Sequence, residues 1–234
     1  MVVLMAVAVM MAGGCRSDGV AGVALAAQDG EAEAVDLRTA FGGEGVAGTY
    51  RVDAGPLKGE EVSFSITALG AGGDDSAGGE AVMQVQGLRE TTLRRDDDGA
   101  VLIPETIDVL EQVRVVYEPA LTIVPARMRV GEVRQQEVSM NVYRLEDGSR
   151  RAGGNGTIEV ELISAGAFDT PMGRVQGFHV QERHDLHLSL ARVTVRVDTI
   201  YGREMGPVRK STVRRVRALA LFGSEEREVL ERVE

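Results

Sequence analysis

Across Glu61–Leu69 the apolar residues Val62, Phe64, Ile66 and Ala68 recur at every second position, with Glu61, Ser63, Ser65 and Thr67 between them. A strand turns successive side chains to opposite faces, so this alternation predicts a half-buried strand. The same period returns at Val138, Met140 and Val142, at Ile158, Val160 and Leu162, and most strongly at Leu186, Leu188 and Leu190 followed by Val193, Val195 and Val197. Turn chemistry separates these runs: Asp53-Ala54-Gly55-Pro56, the Gly/Asp/Ser stretch Gly70–Gly79, Asp96-Asp97-Asp98-Gly99, Glu146-Asp147-Gly148-Ser149 and Gly202–Pro207. No alternation of strand with helix in βαβ order occurs anywhere. The expected fold class is therefore mainly β, a curved antiparallel meander forming a half-barrel or open barrel over residues 34–223. The parity change between Leu190 and Val193 calls for a bulge or bend near Ala191. Thr106–Val116 reads either as one or two helical turns or as resumed strand. Residues 224–234, without a turn residue, read as a C-terminal tail for which a short surface helix is one form. With 4% aromatic residues and no Trp, the core must be built from Val, Leu, Ile, Met and Ala.

Ahead of this region lies an uncharged apolar run from Met1 to Ala12, then Gly13-Gly14-Cys15 and Arg16. The run is shorter than the roughly 20 residues of a resident membrane helix and suits the core of a secretory signal, with a short signal helix over residues 1–14. Two small residues before the only cysteine resemble the lipobox of bacterial lipoproteins, in which the thiol receives a diacylglycerol and the cut falls just before it. The pattern departs from the lipobox at Ala12, where Leu is most frequent, and no Lys or Arg precedes the run. Ordinary cleavage near Ala24-Leu25-Ala26 and an uncleaved anchor stand as rivals. Two acyl chains suffice for stable anchoring, each buried methylene contributing about 0.8 kcal/mol. Once Cys15 is lipidated, no thiol remains for a disulfide or redox role. Arg16 stands where an inner-membrane retention aspartate would follow the cysteine, which favours the outer membrane over the inner. Residues 15–33, rich in Gly, Ala and Asp without a period, read as a flexible tether.

The formal charge of −10 argues against a nucleic-acid partner. Acidic residues dominate between Gln28 and Glu111, and basic ones between Arg192 and Arg217, including Arg209, Lys210, Arg214 and Arg215. Acidic and basic outer faces of neighbouring strands would pair across the sheet; a basic face meeting anionic headgroups is the alternative.

Three segments resemble a loose group of uncharacterised bacterial envelope proteins, related in form to lipoprotein-localisation half-barrels. They are Pro125–Glu132, resembling a Pro-x-x-x-Val-x-x-Gly-Asp turn; Thr170-Pro171-Met172-Gly173 with Phe178-His179-Val180 after it; and Tyr201–Val208, resembling Tyr-x-x-Gly-x-Gly-x-Val with Glu204 in place of the first glycine. The resemblance implies a curved antiparallel sheet around a helix or an apolar hollow, and the hollow holds acyl chains in the localisation proteins; function carried over would be analogy of fold.

No constellation reads as catalytic. His179, His184 and His187 lie near Glu182 and Asp185, but His184 and His187 differ by an odd number and face opposite sides of a strand, so they read as exposed or hairpin-end residues and no metal is expected. Asp96-Asp97-Asp98 has consecutive rather than spaced carboxylates and reads as a solvated hairpin tip. Gly-x-Ser-x-Gly is absent, and Gly42-Gly43, Gly72-Gly73 and Gly153-Gly154 lack the strand-to-helix setting of a phosphate loop. Glu60 and Glu61 point to opposite faces. The expectation is a non-enzymatic, cofactor-free envelope lipoprotein, held to the membrane through Cys15, that binds an apolar ligand or a partner protein. The candidate ligand face is Val62, Phe64, Ile66, Leu188, Leu190, Val193 and Val195. A structural envelope scaffold with a filled core is the alternative.

Overall fold

The computed structural model describes residues 33–41, 45–67, 79–189, 191–218 and 222–234. The signal segment, Cys15, the tether up to residue 32 and the candidate ligand residue Leu190 lie outside the described residues. Described strands are β1 (Val35–Asp36), β2 (Val46–Ala54), β3 (Glu61–Ile66), β4 (Glu80–Val85), β5 (Arg89–Arg95), β6 (Val101–Asp108), β7 (Val113–Val124), β8 (Arg127–Met128), β9 (Val133–Arg144), β10 (Arg150–Thr170), β11 (Gly173–Leu188), β12 (Ala191–Gly202), β13 (Gly206–Ala218) and β14 (Phe222–Arg232). Arg38–Ala40 forms one 3-10 turn.

The antiparallel meander expected from the alternation is present, and it curls all the way round into a closed twelve-strand barrel. Neighbours in sequence are neighbours in the wall, save that β7 joins β9 and β14 returns to β2. Full closure removes the two free edges that a half-barrel would leave. Glycine makes the long strands compatible with this curvature. A Cβ at Gly154 would overlap the His187 carbonyl oxygen, one at Gly156 that of Asp185, and one at Gly177 that of Tyr201. Backbones therefore approach at these points as only glycine permits. A bulge between Leu162 and Ser164 bends β10 further.

Residues 224–232 are strand, part of β14, and no residue of the expected tail is helical. The reason is charge complementarity across the ladder: Arg215 faces Glu225, Arg214 faces Glu226 and Arg209 faces Glu231. Helical periodicity in Glu-Glu-Arg-Glu-Val-Leu-Glu-Arg offers no comparable partner. The helical option for Thr106–Val116 also falls, because β6 runs to Asp108, whose carboxylate accepts the Glu111 N–H and closes a turn into β7. No bulge is needed at Ala191: it pairs directly with Leu188 across the β11–β12 hairpin, so the parity change is a turn.

The barrel has a capped end and a far end. At the capped end β1 pairs with β8, the Leu37 N–H donates to the Ala126 carbonyl, and Glu204 N–H donates to the Thr39 carbonyl. This strap seats Leu37, Ala40 and Phe41 against Tyr201 and Phe178, with rings 5.5–5.6 Å apart. Tyr50, Phe64, Leu93, Val101, Ile158, Leu162 and Val180 complete a solvent-free core.

Candidate functional site

Two features of the barrel present chemistry: a belt of charge inside its far half, and a slit in its wall.

Register fixes which residues face inward. Glu182 lies opposite Val197, and Val197 opposite Thr212; one step towards the far end, His184, Val195 and Arg214 share the next layer, and Arg214 faces Glu226. The inner face of β11 thus carries Glu182 and His184, and that of β13 carries Lys210, Thr212 and Arg214. Arg89 faces Asp108 across β5 and β6. These charges neutralise one another locally. Arg89 lies 3.6 Å from Glu228, His184 lies 3.1 Å from Glu182, and Arg214 pairs with Glu226. Burial pushes the Lys210 ammonium below its usual range, and Arg89 adds repulsion, against the pull of Glu182 and Glu228. Burial likewise pushes the Tyr117 phenol up to about 12. Beside Lys210 and Arg89 the enclosed space is about 20 Å³, lined also by Tyr50, Met83 and Leu230, which is room for about one water. The belt is packed, its charges set beside one another in pairs, while the Thr212 hydroxyl and one Glu228 carboxylate oxygen are buried without a hydrogen-bond partner.

The slit arises where two strands part. β7 pairs with β9 only from Val113 to Glu118, against Ser139–Arg144. Beyond that, β7 continues on β6 alone and β9 continues on β10 alone. Gln136 spans the gap: its side-chain oxygen accepts the Thr122 N–H at 2.9 Å and its amide donates to the Ala120 carbonyl at 2.8 Å. A side chain replaces a backbone ladder here, so the edges stand further apart than the roughly 4.8 Å of paired strands. A groove of about 680 Å³ follows the opening, lined by Arg38, Asp96, Thr122, Arg134, Gln136 and Val160 among others. Several of its charges are already engaged: Arg38 with Asp36, Arg134 with Glu132 and the Arg127 carbonyl. The Arg38 hydrogen bonds hold the Asp36 carboxyl at about 2.

The candidate ligand residues fall in two places. Val62, Phe64 and Ile66 are buried in the packed core, where Phe64 lies against Tyr50 with rings 4.8 Å apart. Leu188, Val193 and Val195 are half-buried on the inner face towards the far end, and Leu188 and Val193 pack against the core. The structure does not bring the two groups together around a shared hollow. His184 and His187 face opposite sides as the spacing requires. His184 and His179 are nonetheless largely covered, the latter 3.4 Å from Asp198, while only His187 is well exposed. Burial raises the Asp198 carboxyl, yet hydrogen bonds from His179, Arg196 and Gln181 outweigh it and hold the group well below the usual carboxylate range. Among the described residues no three His, Cys, Asp or Glu side chains converge as a metal-ligand set, and no helix is long and apolar enough to cross a membrane. Sequence reasoning missed the inward Lys210 and Arg214, since β13 has no clean alternation, and missed the slit. A Gln where the period asked for an apolar side chain, two residues before Val138, was its one trace.

No family model and no curated protein matches the chain. Two solved structures have a similar course. One is a protein of Parabacteroides distasonis designated a lipoprotein, at 11% identity and TM-score 0.40, covering 83% of this chain and 97% of its own. The other, designated an exported protein with a YmcC-like fold, comes from Bacteroides fragilis, at 14% identity and TM-score 0.40, covering 82% of this chain and 95% of its own. Likeness at this level transfers no residue roles.

Proposed function

We propose that this chain is a non-catalytic lipoprotein of the bacterial cell envelope, held to the membrane, the outer one in preference, by acyl chains on Cys15, and that its barrel engages a partner protein through its outer surface. The observation that carries the partner over an enclosed apolar ligand is the occupied interior. Tyr50, Phe64 and Phe178 are fully buried in the capped half, and the charged belt leaves about 20 Å³ beside Lys210. A carrier of acyl chains would need an apolar pocket of several hundred Å³, on the order of 300 or more. The gathering of a small-residue pair, a lone cysteine and an apolar leader supports the anchor.

Membrane fractionation tests the anchor. Cys15→Ser should move the protein into the soluble fraction with an unchanged melting temperature, and the native protein should carry the added lipid mass on Cys15; unchanged retention of the variant overturns the reading. A second reading has one observation in its favour: Leu188, Val193 and Val195 are half-buried and face inward. Under it, a fluorescent fatty acid binds saturably and Val195→Asp abolishes the binding. No saturable binding is expected here.

A further inference from the structure

We infer that the slit between β7 and β9 receives an extended polypeptide segment of the partner, added as a strand to the barrel wall. This deepens the partner-binding reading above and rests on it.

The slit offers main-chain chemistry. Residues 119–124 of β7 and 133–138 of β9 have no ladder partner on their facing sides. Thr122 N–H and the Ala120 carbonyl both point into the gap, since each bonds Gln136 there. A donor and an acceptor two residues apart on one edge are the complement of an extended peptide backbone. The group that occupies them now is itself a primary amide, the side-chain analogue of a peptide group. Its carbonyl and its NH2 make the two bonds that one residue of an incoming strand would make. Such strand addition draws its affinity from main-chain hydrogen bonds and its selectivity from alternate side chains.

The surroundings fit that occupant better than a small ligand. The groove of about 680 Å³ is open along the strands, and no single charge sign dominates it, with Arg38, Arg127 and Arg134 set against Asp96 and Asp98. Val130 and Val133, 48% and 52% exposed, flank its start at the head of β9. Exposed valines beside an unpaired strand edge would be an aggregation hazard on an isolated protein and are covered when a strand docks. Because β7 and β9 run antiparallel, a single inserted segment is antiparallel to one and parallel to the other. Antiparallel pairing is the more stable per residue, and β9 is the more open edge, so the segment runs antiparallel to β9.

The test uses two variants whose effects have opposite sign. Linear peptides are selected from a displayed random library against the full-length chain carrying Cys15→Ser. Thr122→Pro deletes the slit-facing donor at a position whose N–H takes no part in the β6 ladder, and should weaken the best peptide about tenfold. Gln136→Ala removes the resident amide and should tighten the same peptide severalfold. General damage to the fold would weaken both. Amide exchange should show protection confined to residues 119–124 and 133–138, and N-methylation along the peptide should impair binding at alternate residues only. A peptide that protects other residues, a Gln136→Ala variant that binds more weakly, or a selection yielding no peptide sensitive to Thr122→Pro overturns the inference. So does slit protection in the free chain that disappears when residues before Glu33 are removed, which would assign the slit to the chain's own leading segment. Both slit variants should stay in the membrane fraction when Cys15 is intact, so the anchoring reading fails or survives separately.

Discussion

The capped and far halves of the barrel share one wall and differ in what fills it. In the capped half, two aromatic clusters, Phe41–Tyr201–Phe178 and Tyr50–Phe64, and the aliphatic faces of β3, β10 and β11 exclude water, and the buried charge Arg232 is fully employed. Its guanidinium, 7% exposed as a residue, donates to the carbonyls of Met205, Ala47 and Glu234 and lies 5.7 Å from the Phe64 ring centre. In the far half, Arg89 with Glu228, His184 with Glu182 and Arg214 with Glu226 set opposite charges together, and Leu188, Val193 and Val195 are half-buried. Rigidity therefore comes from the dry packing of one half, while the other rests on ion pairs, of which the exposed ones contribute little.

Substitutions can break that contrast, the largest effects first. Phe64→Ala should lower stability by about 3–5 kcal/mol in urea unfolding, against about 1 kcal/mol for Val193→Ala at the far end. Gly177→Ala should rank with the former: its new methyl overlaps the Tyr201 carbonyl oxygen, and neighbouring backbone must move. Next comes Arg232→Met, expected to cost about 3 kcal/mol because three carbonyls lose a charged donor in a dry setting. Lys210→Met, by contrast, should stay within about 1 kcal/mol of the parent, since methionine escapes the burial cost that depresses the ammonium while Glu182 and Glu228 lose one favourable neighbour. Equal losses for Arg232→Met and Lys210→Met would erase the distinction between the halves.

A pH titration sharpens it further. Asp198 has a folded-state pKa below its ordinary 3.8, so the folded chain binds fewer protons than the unfolded one at acid pH. Its contribution is present in full above about pH 4 and is lost as pH falls through the folded value. Asp198→Asn should flatten the acid limb of the stability curve below pH 4 and leave the neutral region lower. The smallest effect belongs to Arg215→Ala, whose partner Glu225 is as exposed as it is; thermal unfolding should not move measurably.

The sequence shows the strands where their environment is two-sided. Val62, Phe64 and Ile66 alternate because β3 has a core behind it and water in front. β13 hides its alternation, since Lys210, Thr212 and Arg214 face a lumen that is itself polar, and hydropathy cannot separate inside from outside there. β14 reads as a helix because its stabilising partners, Arg209, Arg214 and Arg215, are remote in sequence. The acid–base pairing across neighbouring outer faces is legible in kind: Arg192 meets Asp185, and Arg51 and Arg209 meet Glu231. Closure was not legible, because no local pattern states that β14 will find β2. The slit was not either, since an unpaired edge is a property of register between strands joined by the strap-bound connection Pro125–Glu132.

Thr49 and Glu234 meet across 185 positions of chain, through a hydroxyl–carboxylate bond and through the Thr49 N–H on the Glu234 carbonyl. The seam between β2 and β14 thus joins segments that are remote in the chain. Until β14 finds β2, the protein is an unsealed ribbon with two sticky margins, and loop-closure entropy makes that union late.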